Sequence, residues 1–400
     1  MILRLFILIF ILTNAFLVKS FSITPCLYFA QTTASFEPVF QKGMSYATYA
    51  NMTPDAYGSA ESDESLKCMR QIGVDWVAIN VVGWYQTDET SVDIHRNQNQ
   101  APTDDALVHV IQTAKNLNMK IMLKPMIDLE NGRWRGEIQP SKDWFENYTN
   151  YINFFAEIAE QNNVEMLCIG TELQRTASWE TEWRNIISEM RQRYSGLLTY
   201  AANWWKEYDE YVQWWDALDY VGIDAYFPLS AENEPTITEM NATWRGITEY
   251  LNSFHSKVNK PIIFTEIGYL STDGTNKDPS NYKLQEAPGR EIDIQEQAKC
   301  YEAAFQALWE KSWFYGFYWW YWQTNPDAGG SNNSDYTPQN KPAQGVLTHW
   351  YSVDGGVSGI VITPQNQIFI AIFLMGAGAA IVTILPWRKL KLLFKVVPKG

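Results

Sequence analysis

The sequence contains little charge, few cysteines and few histidines for its length. Only 19% of its 400 residues are charged, whereas 46% are hydrophobic. This composition excludes an intrinsically disordered chain, because disorder requires low hydrophobicity and high net charge. The four cysteines have no spacing typical of a metal site, and we expect neither a metal ion nor a cofactor. The length suits one large domain or two to three smaller ones.

The small number of cysteines also limits what disulfides can contribute. They are Cys26, Cys68, Cys168 and Cys300, which allow three complete pairings, and the sequence does not choose among them. Cys168 lies inside an apolar stretch typical of a strand. Its position favours a buried free thiol over a disulfide.

Positive charge is scarce through most of the chain and concentrated at its end. The net charge is −14, yet five cations lie between residues 388 and 400. The middle of the chain is therefore more acidic than the total indicates. We expect such a domain to repel nucleic acid and anionic lipid surfaces.

Two uninterrupted apolar stretches mark the ends of the chain. Residues 1–20 carry Arg4 and then an apolar run, which predicts a signal peptide, with an uncleaved anchor as the alternative. Residues 368–387 contain no charge and are long enough to cross a bilayer as a helix. The basic tail 388–400 is predicted to be cytosolic. These features predict a single-pass type I membrane protein whose main domain is extracellular or lumenal.

Four acceptor motifs for N-glycosylation agree with a secretory route. They begin at Asn51, Asn147, Asn241 and Asn332. Each motif is weak evidence alone, but four beside a signal peptide strengthen the prediction of a glycoprotein.

The main domain is predicted at 42–352, after a lead-in at 21–41 and before a juxtamembrane linker at 353–367. Within it, eight short apolar stretches alternate with longer amphipathic ones. Alternation with continuous apolar strands indicates parallel pairing. The apolar stretches are 43–49, 74–82, 120–128, 164–172, 197–205, 220–228, 261–269 and 314–322. We predict an α/β fold, a (β/α)8 TIM barrel. A doubly wound open sheet is the rival, but its Gly-rich phosphate turn is missing after the first strand.

Two of these apolar stretches end in a glutamate. Glu172 ends "MLCIGTE" on the fourth strand, and Glu266 lies near the end of "PIIFTEIGY" on the seventh. In a barrel of this kind, the C-terminal ends of the strands form the active face. We therefore expect both carboxyl groups at one mouth. A pair of carboxylates flanking a sugar–sugar bond is what glycoside hydrolysis requires.

The predicted mouth also carries polar and aromatic side chains suited to sugar binding. Flat rings stack on apolar sugar faces, and polar groups fix hydroxyl groups. The candidate substrate-binding residues are Lys124, Arg133, Trp134, Arg135, Asn203, Trp204, Tyr226, Trp320 and Trp322. Period-two alternation predicts that Trp320 and Trp322 share one face of the eighth strand. Burial in the core is the alternative for each tryptophan, and a buried ion pair is the alternative for Lys124 and Asp224.

The ordered motifs "WRGEI", "CIGTEL", "TYAANWW", "VGIDAYFPL", "FTEIGY" and "GFYWWYW" resemble glycoside hydrolase family 113 over about residues 40–352. The resemblance implies a (β/α)8 fold, a retaining mechanism and endo-β-1,4-mannanase activity without a cofactor. It implies that Glu172 is the acid/base and Glu266 the nucleophile, with Tyr226 near the nucleophile. It also implies sugar contacts from Asn203, Trp320 and Trp322. Thr171 stands where many relatives in the wider group have an asparagine.

Two functions of different classes are compatible with these residues. The first is a membrane-anchored retaining glycosidase acting on β-1,4-mannan or a related β-linked glycan. The second is a catalytically inactive barrel that binds carbohydrate or mediates adhesion at the cell surface. A fold alone does not separate an enzyme from a binding protein, and a turnover assay discriminates them. The expected partners are an oligo- or polysaccharide substrate and the membrane, without nucleic acid.

Overall fold

Eight parallel strands form a closed barrel in the computed structural model, which describes residues 38–289 and 291–353. The strands are β1 (Gln41–Ala47), β2 (Trp76–Gln86), β3 (Lys120–Leu129), β4 (Met166–Thr171), β5 (Leu197–Asn203), β6 (Val221–Asp224), β7 (Ile262–Ile267) and β8 (Phe314–Gln323). Each strand pairs with the next one along the chain, and β1 pairs with both β2 and β8. The closure of the sheet leaves no exposed edge in the barrel.

The strands are apolar along their whole length because both of their faces are covered. Every residue of β4 and of β7 is buried. One apolar cluster, which includes Met122, Met166 and Tyr318, fills the inside of the barrel. A larger cluster lies between the strands and the surrounding helices. A strand that is covered on both faces has a continuous apolar sequence rather than an alternating one.

Seven α-helices of more than one turn surround the barrel within the described ranges. They are α1 (Ala60–Gln71), α2 (Asp104–Asn116), α3 (Lys142–Gln161), α4 (Glu180–Arg193), α5 (Ile237–Val258), α6 (Ile294–Leu308) and α7 (Pro342–Ser352). Side-chain caps define several of their starts: Ser59 before α1, Thr103 before α2 and Ser141 before α3 each accept a backbone N–H. Thr236 and Glu239 form a capping box at the start of α5.

The connection between β5 and β6 departs from the regular alternation. It holds a π-helical turn at Glu207–Tyr211 and a 3₁₀ turn at Trp215–Ala217 in place of an α-helix. Tryptophans fill the space instead: Trp214 stacks on Trp183 of α4 at 4.9 Å between ring centroids. The indole of Trp214 also donates to the carbonyl of Ala177 at 2.9 Å. Aromatic packing therefore replaces a helix at this point of the outer layer.

The last helix returns the chain to the beginning of the barrel. The ammonium group of Lys42, in β1, donates to the carbonyl oxygens of Tyr351 at 2.7 Å and Val353 at 3.2 Å. The hydroxyl of Tyr351 donates to the carbonyl of Gly43 at 2.8 Å. These bonds join the end of α7 to the first residues of β1, on the face opposite the C-terminal ends of the strands.

The barrel confirms the predicted α/β architecture, and each predicted strand overlaps an observed one. The predicted signal peptide 1–20, transmembrane helix 368–387 and cytosolic tail 388–400 lie outside the described residues, as do most of the lead-in 21–41 and of the linker 353–367. Across residues 38–289 and 291–353, no helix is both long enough and apolar enough to span a bilayer.

Cysteines and glycosylation motifs have defined places in the barrel. Cys68, Cys168 and Cys300 are free thiols, and Cys168 is fully buried, as predicted. Cys26 lies outside the described residues.

Of the four asparagines in the glycosylation motifs, Asn51 and Asn332 are exposed in loops. The amides of the other two are used within the fold: Asn147 donates to the carbonyl of Val92 at 3.0 Å, and Asn241 donates to Gln306 at 2.8 Å.

Candidate active site

The two glutamates lie at the C-terminal ends of their strands. Glu172 directly follows β4, and Glu266 is the next-to-last residue of β7. Strand register adds two polar neighbours, because Asn203 of β5 pairs with Asp224 of β6, and Asp224 pairs with Glu266. The fold thus gathers residues from four consecutive strands at the face where enzymes with this barrel carry their active sites.

Glu266 is held by a tyrosine and a lysine. The hydroxyl of Tyr226 donates to its Oε2 at 2.8 Å, and the ammonium group of Lys124 forms an ion pair with its Oε1. Lys124 also reaches Asp224 Oδ1 at 3.4 Å, and Thr265 donates to the same oxygen at 2.8 Å. Lys124 and Asp224 have no exposed surface, and Glu266 is 6% exposed.

Burial and neighbouring charges shift the pKa values of Lys124 and Asp224. Burial alone would lower the pKa of Lys124, but the charges of Asp224 and Glu266 raise it to about 12. Burial raises the pKa of Asp224 well above its usual range, and the charge of Glu266 adds to the effect. Lys124 therefore stays positive at neutral pH. Of its two carboxyl partners, Glu266 lies closer to the ammonium group of Lys124 than Asp224 does.

Glu172 has different surroundings, in which its direct donors are uncharged. The amide of Asn203 donates to its Oε1 at 2.6 Å, and the indole of Trp134 donates to its Oε2 at 3.1 Å. Burial raises the pKa of Glu172, and the negative charge of Glu266 raises it further. Arg135 and the two donors lower that pKa, but the raising causes prevail.

The backbone at Glu172 is also unusual. Its φ is +51°, a left-handed conformation that few residues other than glycine adopt. Its N–H donates to the carbonyl of Ala201 at 2.8 Å, which ties the end of β4 to β5. Strained conformations of this kind persist where the surrounding contacts fix them, and they are frequent at functional sites.

The arrangement provides one carboxyl group held by a cation and one carboxyl group whose pKa is raised. Such a pair can combine nucleophilic attack with proton donation at one bond. Among residues 38–289 and 291–353, no cluster of histidine, cysteine, aspartate and glutamate has the composition to hold a metal ion.

The sequence model of Glycoside Hydrolase Family 113 matches residues 44–341. The chain belongs to glycoside hydrolase family 113. Solved structures from this family support the assignment. A complex of a GH113 β-1,4-mannanase is 29% identical in sequence with a TM-score of 0.70, over 78% of this chain and 99% of the other. The β-mannanase AaManA from Alicyclobacillus acidocaldarius is 27% identical with a TM-score of 0.69, over 78% and 97% of the two chains.

More distant structures share only the barrel with this family 113 chain. A β-glucuronidase from Ruminococcus gnavus is 12% identical with a TM-score of 0.53, over 79% of this chain and 50% of the other. This likeness shows the fold alone. No curated protein matched the chain.

The loop after β3 brings only part of its predicted residues to the glutamates. Trp134 contacts Glu172 directly. Arg135 pairs with Asp128 at 2.5 Å, and its charge acts on Glu172. Arg133 is half exposed and forms ion pairs with Glu89 and Glu137. We conclude that Arg133 stabilises the loop and does not contact the two glutamates through these ion pairs.

Aromatic side chains border the site at two places. Trp320 is partly buried and lies 5.7 Å from Tyr49 between ring centroids. The ring centroids of Trp204 and Phe227 are also 5.7 Å apart. Both tryptophans pack against the cluster that contains Tyr226 and are only partly buried, so part of each ring is exposed.

Trp322 does not share a face with Trp320, and that prediction is wrong. Trp322 is 1% exposed, and its indole donates to Ser65 of α1 at 2.8 Å. The reason is a bulge in β8: Met44 pairs with Trp319 while Tyr46 pairs with Trp322. The extra residue breaks the period-two alternation. Trp322 therefore points into the core between strands and helices and does not reach a substrate.

This placement predicts opposite effects for the two tryptophans. We expect Trp322→Phe to lower the free energy of unfolding by about 1–3 kcal/mol, because it removes a buried hydrogen bond and part of a packed ring. Its KM should not change. Trp320→Ala should raise KM and lower the free energy of unfolding less than Trp322→Phe does. Denaturant unfolding measures the stability of the two variants, and steady-state kinetics measures their KM. A raised KM in folded Trp322→Phe would contradict the placement.

The donors to Glu172 predict a shift in the pH profile. A donor to the ionised form lowers a carboxyl pKa, so its removal raises that pKa. If Glu172 is the catalytic acid, the alkaline limb of kcat/KM reports its deprotonation in the free enzyme, and we expect Trp134→Phe to move that limb to higher pH. Trp205→Phe is the matched control, because Trp205 is 58% exposed and contacts Asn203 through its backbone N–H, which the substitution keeps. An unmoved or lowered limb in Trp134→Phe would count against the contact.

Three residues of the site lack a strong signal in the sequence. Tyr49 follows β1, and the C-terminal end of that strand lies at the mouth of the barrel. Asp224 lies at the end of β6, where the sequence leaves an ion pair and a substrate role open, and the structure places it in the Lys124 ion pair. Glu207 accepts hydrogen bonds from Tyr200 and from the backbone of Asn203. Nothing in its polar, aromatic loop sequence distinguishes it.

Proposed function

We propose that this protein is a retaining glycoside hydrolase that cleaves β-1,4-mannan within the chain, with Glu266 as nucleophile and Glu172 as acid/base. The observation that carries the proposal is the difference between the two glutamates. Lys124 and Tyr226 both donate to Glu266, while burial and the charge of Glu266 raise the pKa of Glu172. A retaining enzyme needs this division between an anion and an acid.

In the first step, Glu266 attacks the anomeric carbon and the glycosidic C–O bond breaks. Glu172 gives its proton to the departing oxygen, and a covalent glycosyl ester forms on Glu266. In the second step, Glu172 takes a proton from water, and the water oxygen attacks the anomeric carbon. The ester bond breaks, both carboxyl groups return to their starting state, and the product has the configuration of the substrate.

The electrostatic coupling of the two glutamates suits this change of role. The charge of Glu266 raises the pKa of Glu172 in the resting enzyme. That charge disappears when Glu266 becomes an ester, so the pKa of Glu172 falls. The same carboxyl group is then an acid in the first step and a base in the second.

The substrate class rests on the family and on the side chains at the mouth. The similar structures in the family are named β-1,4-mannanases and a β-mannanase. Trp134, Trp204 and Trp320 offer rings for stacking, and Asn203 and Arg135 offer polar contacts. In sites lined by both kinds of side chain, the aromatic rings stack on the apolar faces of the sugar and the polar groups bind its hydroxyl groups.

Membrane anchoring is the second part of the proposal. The charge-free stretch 368–387 and the basic tail 388–400 support a single C-terminal span with a cytosolic tail. The predicted signal peptide 1–20 and the glycosylation motifs support an extracellular or lumenal barrel. Protease added to sealed vesicles should then remove only the tail, and digestion of the barrel would refute this orientation.

The deciding experiment is turnover with product analysis. Wild-type protein is incubated with mannan, with cellulose as the control polymer, and NMR follows the anomer that forms first. We expect release of mannooligosaccharides whose new reducing ends are initially β. Initially α ends would refute the retaining mechanism. Binding of mannooligosaccharides without turnover would instead identify the chain as a carbohydrate-binding barrel.

A further inference from the structure

A buried glutamate that takes no part in the proposed mechanism is connected to Glu172 through hydrogen bonds. Glu207 has no exposed surface, and it begins the π-helical turn between β5 and β6. Burying a carboxyl group costs several kcal/mol unless its oxygens gain good partners. The partners of Glu207 therefore indicate what its burial serves.

One oxygen of Glu207 fixes the residue that binds Glu172. Its Oε2 accepts from the backbone N–H of Asn203 at 2.7 Å, and the Asn203 amide donates to Glu172 Oε1 at 2.6 Å. The backbone N–H of Trp205 donates to the amide oxygen of Asn203 at 2.8 Å. Glu207 thus sets the position of the Asn203 backbone, and Trp205 sets the orientation of its amide.

The other oxygen of Glu207 fixes the backbone beside Glu172. Its Oε1 accepts from the hydroxyl of Tyr200 at 2.5 Å, and that hydroxyl accepts from the N–H of Leu173 at 2.9 Å. Leu173 is the next residue after Glu172, whose φ is +51°. The second chain of bonds therefore ends at the residue directly after the proposed acid/base.

We propose that Glu207 is a positioning residue that holds the backbone and the amide partner of Glu172 in one rigid frame. The frame aims the Glu172 proton at the departing oxygen and, in the second step, aims the Glu172 carboxylate at the water. This inference rests on the proposed acid/base role of Glu172. Outer partners of reacting groups act in this way when they lock the geometry of the groups that they contact.

A second buried glutamate shows what a purely structural role looks like. Glu296 is also fully buried, and it accepts from the N–H of Gly274 at 2.8 Å and from the N–H and amide of Asn276 at 3.1 and 2.7 Å. Those partners belong to the loop after β7 and contact neither Glu172 nor Glu266 through these bonds. Glu207 differs because both of its chains of bonds end at Glu172 or at the adjacent residue.

The test compares substrates that need proton donation with substrates that do not. Glu207→Gln keeps the size of the side chain, but its amide group cannot accept both hydrogen bonds. We expect kcat on mannan to fall about 10- to 100-fold with little change in KM, as for the loss of other outer partners. Dinitrophenyl mannosides have a good leaving group, so their cleavage to the covalent intermediate should be nearly unchanged. The loss should grow steadily as the leaving group becomes poorer.

Two matched variants separate positioning from stability. Glu210→Gln changes an exposed glutamate in the same turn and should behave as wild type. Glu296→Gln should lower the unfolding temperature, and any loss of activity should be equal for all leaving groups. An equal loss for all leaving groups in Glu207→Gln, or no loss, would overturn the proposal. If Glu207→Gln does not fold, Tyr200→Phe removes only one chain of bonds and must show the same dependence on the leaving group.

Failure of this inference differs from failure of the proposed function. Glu172→Ala is measured with the same series of substrates. If it shows the leaving-group dependence and Glu207→Gln does not, only the positioning role is wrong. If Glu172→Ala shows no leaving-group dependence, or if wild-type protein turns over no substrate, the assignment of the acid/base is wrong. The positioning role of Glu207 then fails with it.

Discussion

Glu266→Gln should remove nearly all turnover on mannan and on aryl mannosides alike. Without the carboxylate, no glycosyl ester forms, and a better leaving group does not restore the lost bond. We expect a loss of about 10⁵-fold or more, the scale seen when a covalent nucleophile is removed from other enzymes. Steady-state kinetics with highly purified protein measures the loss.

The Glu266 variant also removes a partner of a buried lysine, so stability must be measured beside activity. Glu146→Gln, an exposed position on α3, is the control for a neutral glutamate substitution and should keep full activity. Azide added to Glu266→Gln should give a mannosyl azide of inverted configuration, because azide then attacks the substrate directly. An azide product of retained configuration would assign the acid/base role to Glu266. Wild-type activity in the variant would remove Glu266 from the chemistry.

Glu172→Ala should lose activity in a way that depends on the leaving group. Turnover of mannan should fall by about 10²–10⁴-fold, which is the usual contribution of general acid–base catalysis. Dinitrophenyl mannosides barely need a proton, so they should still form the intermediate on Glu266. The intermediate should then accumulate, because water lacks its base, and a burst of dinitrophenol should precede slow turnover.

Azide completes this experiment because it is an anion that needs no base. It should accelerate turnover of the dinitrophenyl substrate by Glu172→Ala and give a mannosyl azide of retained configuration. The neighbouring Arg175→Ala, an exposed position, should show neither a burst nor an azide effect. An azide product of inverted configuration from Glu172→Ala would mean that Glu172 is the nucleophile.

The barrel and its glutamates are accessible to sequence reasoning for a physical reason. Strands such as β4 and β7 are buried on both faces, so their sequences are continuous apolar runs. A glutamate at the end of such a run stands out, because an unpaired carboxylate there is costly. Order along the chain then places Glu172 and Glu266 on the same face of the barrel.

The rest of the site depends on geometry that no local pattern encodes. Trp322 points away from the mouth because one extra residue in β8 changes the alternation, and a bulge leaves no reliable mark in the sequence. Arg133 and Arg135 are two residues apart, yet their guanidinium groups have different partners: Arg133 pairs with Glu89, whereas Arg135 pairs with Asp128 and its charge lowers the pKa of Glu172. The polar sequence around Glu207 is typical of an exposed loop, but its turn folds inward and buries the side chain completely.

The contacts between Lys42, Gly43 and Tyr351 have a practical consequence. They join the first strand to the last helix, so the chain enters and leaves the barrel at neighbouring points. Both points lie on the face of the barrel opposite the strand ends that carry Glu172 and Glu266. An enzyme attached to a support through residues near 353 should therefore keep its open face accessible to long polymers.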